Sequence, residues 1–199
     1  MVLSPHRDDE CLGVGGTLFL CKNIHIHYFN DIHPNVPVQI YDQEAQEVQN
    51  KLGCSVSYSD QRAVNKLHLF PIDGYIAEIE KLLNTLRPTT IFIPCSSRNQ
   101  DHRVVYEAAI TATRFHDTNY LVPNVLIYEQ TEYVTPEFLP TFFVSIDIDK
   151  KLELFNIYRS QQRGHRTPEH IKALATLRGM EINKPYAEAF QVRRIKYGK

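Results

Sequence analysis

The sequence has no tryptophan, two methionines and four cysteines in 199 residues. The cysteines, Cys11, Cys21, Cys54 and Cys95, are scattered, and none belongs to a C-x-x-C pair. This pattern is typical of reduced, partly buried thiols in a cytoplasmic protein and argues against a disulfide framework. We disfavour metal ligation by Cys11 or Cys95, because buried free cysteine is common.

The sequence also has no large excess of positive or negative charge and no long apolar run. The 22 basic and 23 acidic residues leave a net charge of −1, which gives no global field for nucleic acid or an anionic membrane. No apolar run approaches the roughly 20 residues of a membrane-spanning helix, and the start lacks the pattern of a secretory signal. We therefore expect a soluble cytoplasmic protein with no membrane span and no nucleic-acid partner.

Hydrophobic periodicity predicts an α/β fold. Strands are predicted at MVLS, IHIHYF, KLHLF, TTIFIPC, NVLIYE and FFVSIDI. Helices are predicted at YDQEAQEVQNKLG, DGYIAEIEKLLNTLRP and DHRVVYEAAITATRF, and two more between residues 150 and 189, separated by the RGHRTP loop. The alternation indicates a mostly parallel sheet with helices on both faces. Without a linker or repeat, residues 1–199 are predicted to form a single domain.

Two polar clusters follow predicted strands. HRDDE, residues 6–10, comes after MVLS, and SSRNQDH, residues 96–102, comes after TTIFIPC. In open α/β sheets, ligands bind outside the carboxyl ends of the strands where the strand order reverses. We therefore expect these clusters to meet in space if the two strands are neighbours.

The side chains of these clusters suit a metal site. His6, Asp9 and His102 offer two imidazoles and a carboxylate, a common ligand set for zinc that other divalent metals also accept. Asp8 would be placed to take a proton from water activated there. Each residue has an ordinary alternative, since a single histidine is often merely hydrogen-bonded and Asp8 to Glu10 would suit a helix N-terminus.

The glycines of GVGG invite comparison with a dinucleotide-binding turn. The G-x-G-x-x-G spacing fails because Leu18 stands three residues after Gly15, and the preceding acids would repel phosphates. We expect instead that the glycines let a helix approach the strand end closely.

The chain resembles a known family at several points. SPHRDDECLGVGGTL resembles the P-H-P-D-D-E-x-L-G-x-G-G-T signature of the LmbE/PIG-L-like zinc-dependent N-acetylglucosaminyl deacetylases, and NQDHRVVYEAA, YRSQ and YAEAF resemble later landmarks in the same order. The resemblance covers nearly the whole chain and implies a Rossmann-like three-layer sandwich. It implies a hydrolase that removes the N-acetyl group from an N-acetylglucosamine-type sugar or its conjugate, with hydroxide generated at Zn²⁺. It also implies His6, Asp9 and His102 as metal ligands and Asp8 as general base.

Two positions depart from the family. Arg7 replaces a proline and is expected either to face the site or to lie solvated at the surface. Asn99 replaces a histidine; it can donate a hydrogen bond to an oxyanion but cannot shuttle a proton. Asp101 would orient a ligand histidine or cap the next helix, and Arg103 would contact substrate or pair with Glu107.

Other assignments stay open at this stage. Glu10 is expected as a helix-start carboxylate or as a support for the ligands. His165, Arg166 and His170, in and after the RGHRTP loop, are expected either to line a substrate mouth or to be uncommitted loop residues. The alternatives to a sugar deacetylase are a metal-dependent amidase acting on a non-sugar amide and a catalytically impaired sugar-binding protein of the same fold. The expected partner is a small-molecule or glycoconjugate substrate, and a homo-oligomer stays open.

Overall fold

The central sheet orders the molecule. The computed structural model describes residues 1–30, 36–60, 66–115, 120–130, 138–164 and 166–198. Within these ranges the strands are β1 (Val2–Ser4), β2 (His25–Tyr28), β3 (Ser55–Tyr58), β4 (Thr90–Pro94), β5 (Asn124–Tyr128), β6 (Phe142–Ser145) and β7 (Ala187–Arg194). They form one sheet in the order β3-β2-β1-β4-β5-β7-β6. Strands β1 to β5 pair in parallel, and β7 is antiparallel to both β5 and β6.

Helices cover both faces of this sheet. They are α1 (Asp9–Leu18), α2 (Val38–Leu52), α3 (Ile72–Leu86), α4 (Gln100–Ala112), α5 (Ile148–Phe155) and α6 (Pro168–Met180). Side chains alternate along the strands, so that Leu3 and Ile91 pack with α3 and α4, while Val2 and Phe92 pack with α1. The predicted α/β class is confirmed. Among the described residues, no helix combines the length and apolarity needed to cross a bilayer.

Two element predictions are wrong, and one strand was not predicted. KLHLF contains a short 3₁₀ helix, Leu67–Leu69, rather than a strand. SVSY forms the unpredicted edge strand β3, whose residues are half-buried or exposed and carry little apolar signal. YAEAF, expected in a helix, enters β7, because this segment pairs with a strand on each side.

The strand order places the two polar clusters side by side. Val2 of β1 is in register with both Ile26 of β2 and Phe92 of β4. Chain order therefore reverses between β1 and β4, and HRDDE and SSRNQDH both leave the sheet at its carboxyl edge beside this point.

The glycines of α1 make close contacts with the sheet. A Cβ added to Gly13 would lie 2.1 Å from Cδ2 of Tyr128, a buried side chain of β5. A Cβ on Gly16 would lie 2.7 Å from Ile146, whereas one on Gly15 would meet nothing closer than 3.5 Å. Gly13 therefore sets how closely α1 approaches β5.

We expect Gly13→Ala to destabilise the protein by about 3 kcal/mol, because overpacking a filled core forces strain on its neighbours. Gly15→Ala is the matched control in the same helix; it should be neutral or stabilise by up to about 1 kcal/mol through helix propensity. Urea unfolding followed by circular dichroism measures both. Equal stabilities for the two variants would contradict the close-contact explanation.

A buried ion pair between Lys151 of α5 and Glu188 of β7 contacts the backbone of α1. The backbone N–H groups of Gly16 and Thr17 each donate to Glu188 of β7 at 2.8 Å. The ammonium of Lys151 donates to Glu188 at 2.5 Å and to the carbonyl of Leu12 at 2.8 Å. In a regular helix the carbonyl of Leu12 would accept a hydrogen bond from the backbone N–H of Gly16, and here each of these two groups bonds to the ion pair. Lys151 and Glu188 therefore link α1, α5 and β7 through the helix backbone itself.

Candidate active site

Glu10 anchors the turn between β1 and α1. Its carboxylate accepts hydrogen bonds from Ser4 Oγ at 3.0 Å, Tyr28 Oη at 3.0 Å and Tyr158 Oη at 2.8 Å. Burial raises the pKa of Glu10 despite these bonds. This buried carboxylate ties β1, β2 and the segment after α5 to one point beneath the turn, in keeping with a supporting role.

Asp8 has a strained backbone at the start of α1. Its φ of 113° lies in the left-handed region that residues with a Cβ rarely adopt. Strain of this kind costs on the order of 1–3 kcal/mol and persists only where the surroundings impose it. Here the anchored Glu10 fixes the turn, since the backbone N–H of Asp8 donates to Glu10 Oε2 at 3.3 Å.

The structure brings His6, Asp9 and His102 together. Asp9 Oδ2 lies 3.3 Å from His6 Nδ1 and 3.3 Å from His102 Nε2. One ligand atom from each residue lies within 4.8 Å of the others. Asp9 and His102 are fully buried, and His6 is half-buried at the surface end of the group. The donors therefore converge on a single point at the carboxyl edge.

This donor set fits a divalent cation. Within the described part of the chain, the buried Asp9 Oδ1 has no hydrogen-bond partner. Burial acts to raise the pKa of Asp9, but His102 and His6 outweigh it and hold that pKa well below its usual range. For His6, burial acts to lower the pKa, while hydrogen bonds to Asp101 and Asp9 raise it to about 9. An ionised carboxylate between two imidazoles is a setting that metal cations favour.

Asp101 supports His6 rather than its neighbour His102. Its Oδ2 lies 3.1 Å from His6 Nε2, and its Oδ1 accepts from the backbone N–H of Leu67 at 3.0 Å. The alternative helix-capping role belongs to Asn99, whose Oδ1 accepts from the Asp101 N–H at 2.9 Å. A carboxylate on the second nitrogen of a ligand histidine fixes its tautomer and orientation. The 3₁₀ helix that replaces the predicted strand supplies the contact that holds Asp101.

Asp8 is paired with Arg166. Arg166 Nη1 donates to Asp8 Oδ2 at 2.7 Å, and both side chains are buried. The other oxygen, Oδ1, is buried and has no hydrogen-bond partner among the described residues. Burial raises the pKa of Asp8 and outweighs the opposing charge of Arg166. A carboxylate with a raised pKa is a stronger proton acceptor near neutral pH.

Arg7 and Arg103 both bond to other parts of the protein. Arg7 is 3% exposed, donates to Asp42 at 2.9 Å and stacks over the Tyr58 ring at 5.1 Å, which overturns the solvated alternative. Arg103 Nη1 donates to the carbonyls of Ser97 and Arg98, at 3.3 and 3.1 Å, instead of pairing with Glu107. Arg103 therefore braces the loop before α4, and Arg7 joins the turn before α1 to α2.

Arg166 is the site residue that sequence reasoning underestimated. The RGHRTP loop places it 158 positions from Asp8, and only its membership of a polar loop drew attention to it. His170, from the same loop prediction, bonds Thr167 at the start of α6. His165 lies outside the described residues.

A family profile matches this arrangement. The profile described as "PIG-L: GlcNAc-PI de-N-acetylase" matches residues 1–113, which include every member of the convergent group. The matched region covers more than half of the chain.

Solved structures share the fold over nearly the whole chain. The conserved protein TT1542 from Thermus thermophilus is 24% identical, with a TM-score of 0.80 and coverage of 100% of this chain and 95% of that one. N,N'-diacetylchitobiose deacetylase from Pyrococcus horikoshii is 20% identical, with a TM-score of 0.78 and coverage of 96% and 82%. GalB, a 4-carboxy-2-hydroxymuconate hydratase from Pseudomonas putida KT2440, is 19% identical, with a TM-score of 0.77 and coverage of 100% and 97%. The neighbours include both a deacetylase and a hydratase, so the reaction must be argued from the site.

Proposed function

The chain belongs to the PIG-L (GlcNAc-PI de-N-acetylase) family, and on that premise we propose that it is a metal-dependent N-deacetylase of an N-acetylglucosamine-type sugar or its conjugate. The observation that carries the proposal is the convergence of His6, Asp9 and His102 beside the paired Asp8. The family supports deacetylation, and the donor set supports metal dependence.

His6, Asp9 and His102 would hold the metal, with Zn²⁺ the first candidate. A bound divalent metal lowers the pKa of water and polarises a carbonyl oxygen. Asp101 contacts Nε2 of His6, so that Nδ1 of His6 is the nitrogen directed toward Asp9. This contact prepares the imidazole for ligation without a change of orientation.

Asp8 is the proposed general base. Arg166 occupies Oδ2, and the buried Oδ1 is the oxygen left to accept a proton from the attacking water. The ion pair with Arg166 also keeps the Asp8 side chain from rotating. A fixed orientation helps catalysis, because a misplaced catalytic group lowers the reaction rate. Arg166 therefore acts through Asp8 as a positioning residue.

Asn99 is the proposed donor to the oxyanion. Its Oδ1 caps α4, so donation falls to Nδ2, the one donor atom of its side chain. A well-placed donor of this type is commonly worth about 3–4 kcal/mol in the transition state. Because an amide cannot release a proton near neutral pH, Asn99 takes no part in protonating the leaving amine.

The test combines metal analysis with acetate release. We expect the purified protein to contain about one divalent metal per chain and to release acetate from N-acetylglucosamine or its conjugates, but not from N-acetyl amino acids. A chelator should abolish turnover, and Zn²⁺ or another divalent metal should restore it. Acetate from acyl-amino acids alone would indicate the non-sugar amidase, and bound metal with no acetate from any substrate would refute deacetylation.

A further inference from the structure

Gln130, two residues beyond β5, has a buried side-chain amide that finds no hydrogen-bond partner among the described residues. It is 1% exposed, and neither Oε1 nor Nε2 forms a hydrogen bond with any described residue. The preceding residue, Glu129, does have hydrogen-bond partners: its carboxylate accepts from Arg178 Nε at 2.6 Å and from Arg178 Nη2 at 2.7 Å. A buried amide with both atoms unsatisfied destabilises a fold and therefore calls for an explanation.

The sheet register places Gln130 beside the candidate active site. Tyr128 of β5 is level with Pro94 of β4, and the pairing of Val2 with Phe92 makes Ser4 of β1 level with Pro94 as well. His6, Ser96 and Gln130 each follow the last residue of one of these three strands by two positions. Adjacent strands lie about 4.8 Å apart, so the ends of β1 and β5, which His6 and Gln130 follow, are roughly 10 Å apart across the edge.

A buried thiol, Cys95, follows the strand that lies between β1 and β5. The backbone N–H of Cys95, the first residue after β4, donates to the carbonyl of Tyr128 at the end of β5 at 2.9 Å. Burial is the main cause that raises the pKa of Cys95 to about 12, and the negative charges of Glu129 and Asp9 act in the same direction. This thiol therefore stays neutral. A neutral Cys95 does not compete with the metal-ligand cluster as a charged ligand.

We propose that Gln130 is a specificity-determining residue that binds neighbouring ring hydroxyls of the sugar substrate. Its Oε1 accepts from one hydroxyl and its Nε2 donates to another, a pairing that a carboxylate or an ammonium alone cannot make. The nearby Glu129 is already neutralised by Arg178, so this end of β5 presents a neutral amide to a neutral ligand. The inference rests on the proposed function, because the acetamide must lie at His6, Asp9 and His102 for the ring to reach Gln130.

The test is Gln130→Met, which keeps the volume and removes both polar atoms. We expect kcat/KM for N-acetylglucosamine to fall about tenfold or more, while that for N-cyclohexylacetamide, which lacks ring hydroxyls, stays unchanged. The melting temperature should rise by about 2 °C or more, because an unsatisfied amide is removed. A merely structural glutamine would move the melting temperature in the opposite direction.

Gln161→Met is the matched control. This buried amide donates to Tyr41 Oη at 2.6 Å and to Ser160 Oγ at 2.9 Å, so its loss should lower the melting temperature. An unchanged preference between the two substrates in Gln130→Met, or a fall in its melting temperature like that of the control, would overturn the inference. If the wild-type protein releases no acetate, the proposed function fails separately. Gln130 is then judged by its melting temperature and by calorimetric titration of both proteins with N-acetylglucosamine.

Discussion

Asp8→Asn is expected to lower the rate of acetate release by about 10²–10⁴-fold, the usual contribution of a general base. Asparagine has nearly the same shape and tolerates the positive φ of this position, and its Oδ1 can still accept from Arg166. The fold and the metal content should therefore be retained. Steady-state kinetics with metal analysis and circular dichroism measure all three properties.

Asp9→Asn is the control for this prediction, since the two aspartates are adjacent but have different proposed roles. Loss of the carboxylate between His6 and His102 should lower the metal content as well as the turnover. Full turnover in Asp8→Asn would contradict its role as base. Metal loss in both variants alike would instead make Asp8 part of the ligand set.

Lys151→Met is expected to lower the free energy of unfolding by about 3–5 kcal/mol, because it leaves the buried Glu188 carboxylate without its cation. Lys151 and Glu188 are each 4% exposed, so water cannot replace the lost partner. The effect should extend to the site, since Glu188 also holds the backbone of α1, whose first turn carries Asp9. Urea unfolding curves measure the loss.

Lys51→Met provides the matched surface control. Lys51 pairs with Glu153, but the two side chains are 36% and 58% exposed. Surface pairs are worth about 0–1 kcal/mol because water and salt screen them, so this variant should unfold almost as the wild type does. Similar losses in both lysine variants would show that burial of the ion pair is not what stabilises α1.

Local patterns predicted the elements whose burial repeats with a regular period. Helix α3 has a continuous apolar face that includes Ile79 and Leu83, and β4 is an uninterrupted β-branched and aromatic run. Strand β3 was missed because an edge strand needs little apolar character, and the start of β7 was read as helix because its sequence shows no strand signal of its own. Such elements form because a neighbouring strand supplies their hydrogen bonds.

The sequence by itself determined the types of donor in the site and their approximate position after two strands. HRDDE and the Asp101–His102 pair contain the imidazoles and carboxylates, and the βα alternation implies that both clusters lie at the carboxyl edge. Only the tertiary structure decided which carboxylate serves which partner. Asp101 supports His6, 95 positions away, and Arg166 holds Asp8, 158 positions away. Contacts over such separations depend on how strands and loops pack, which no local spacing encodes.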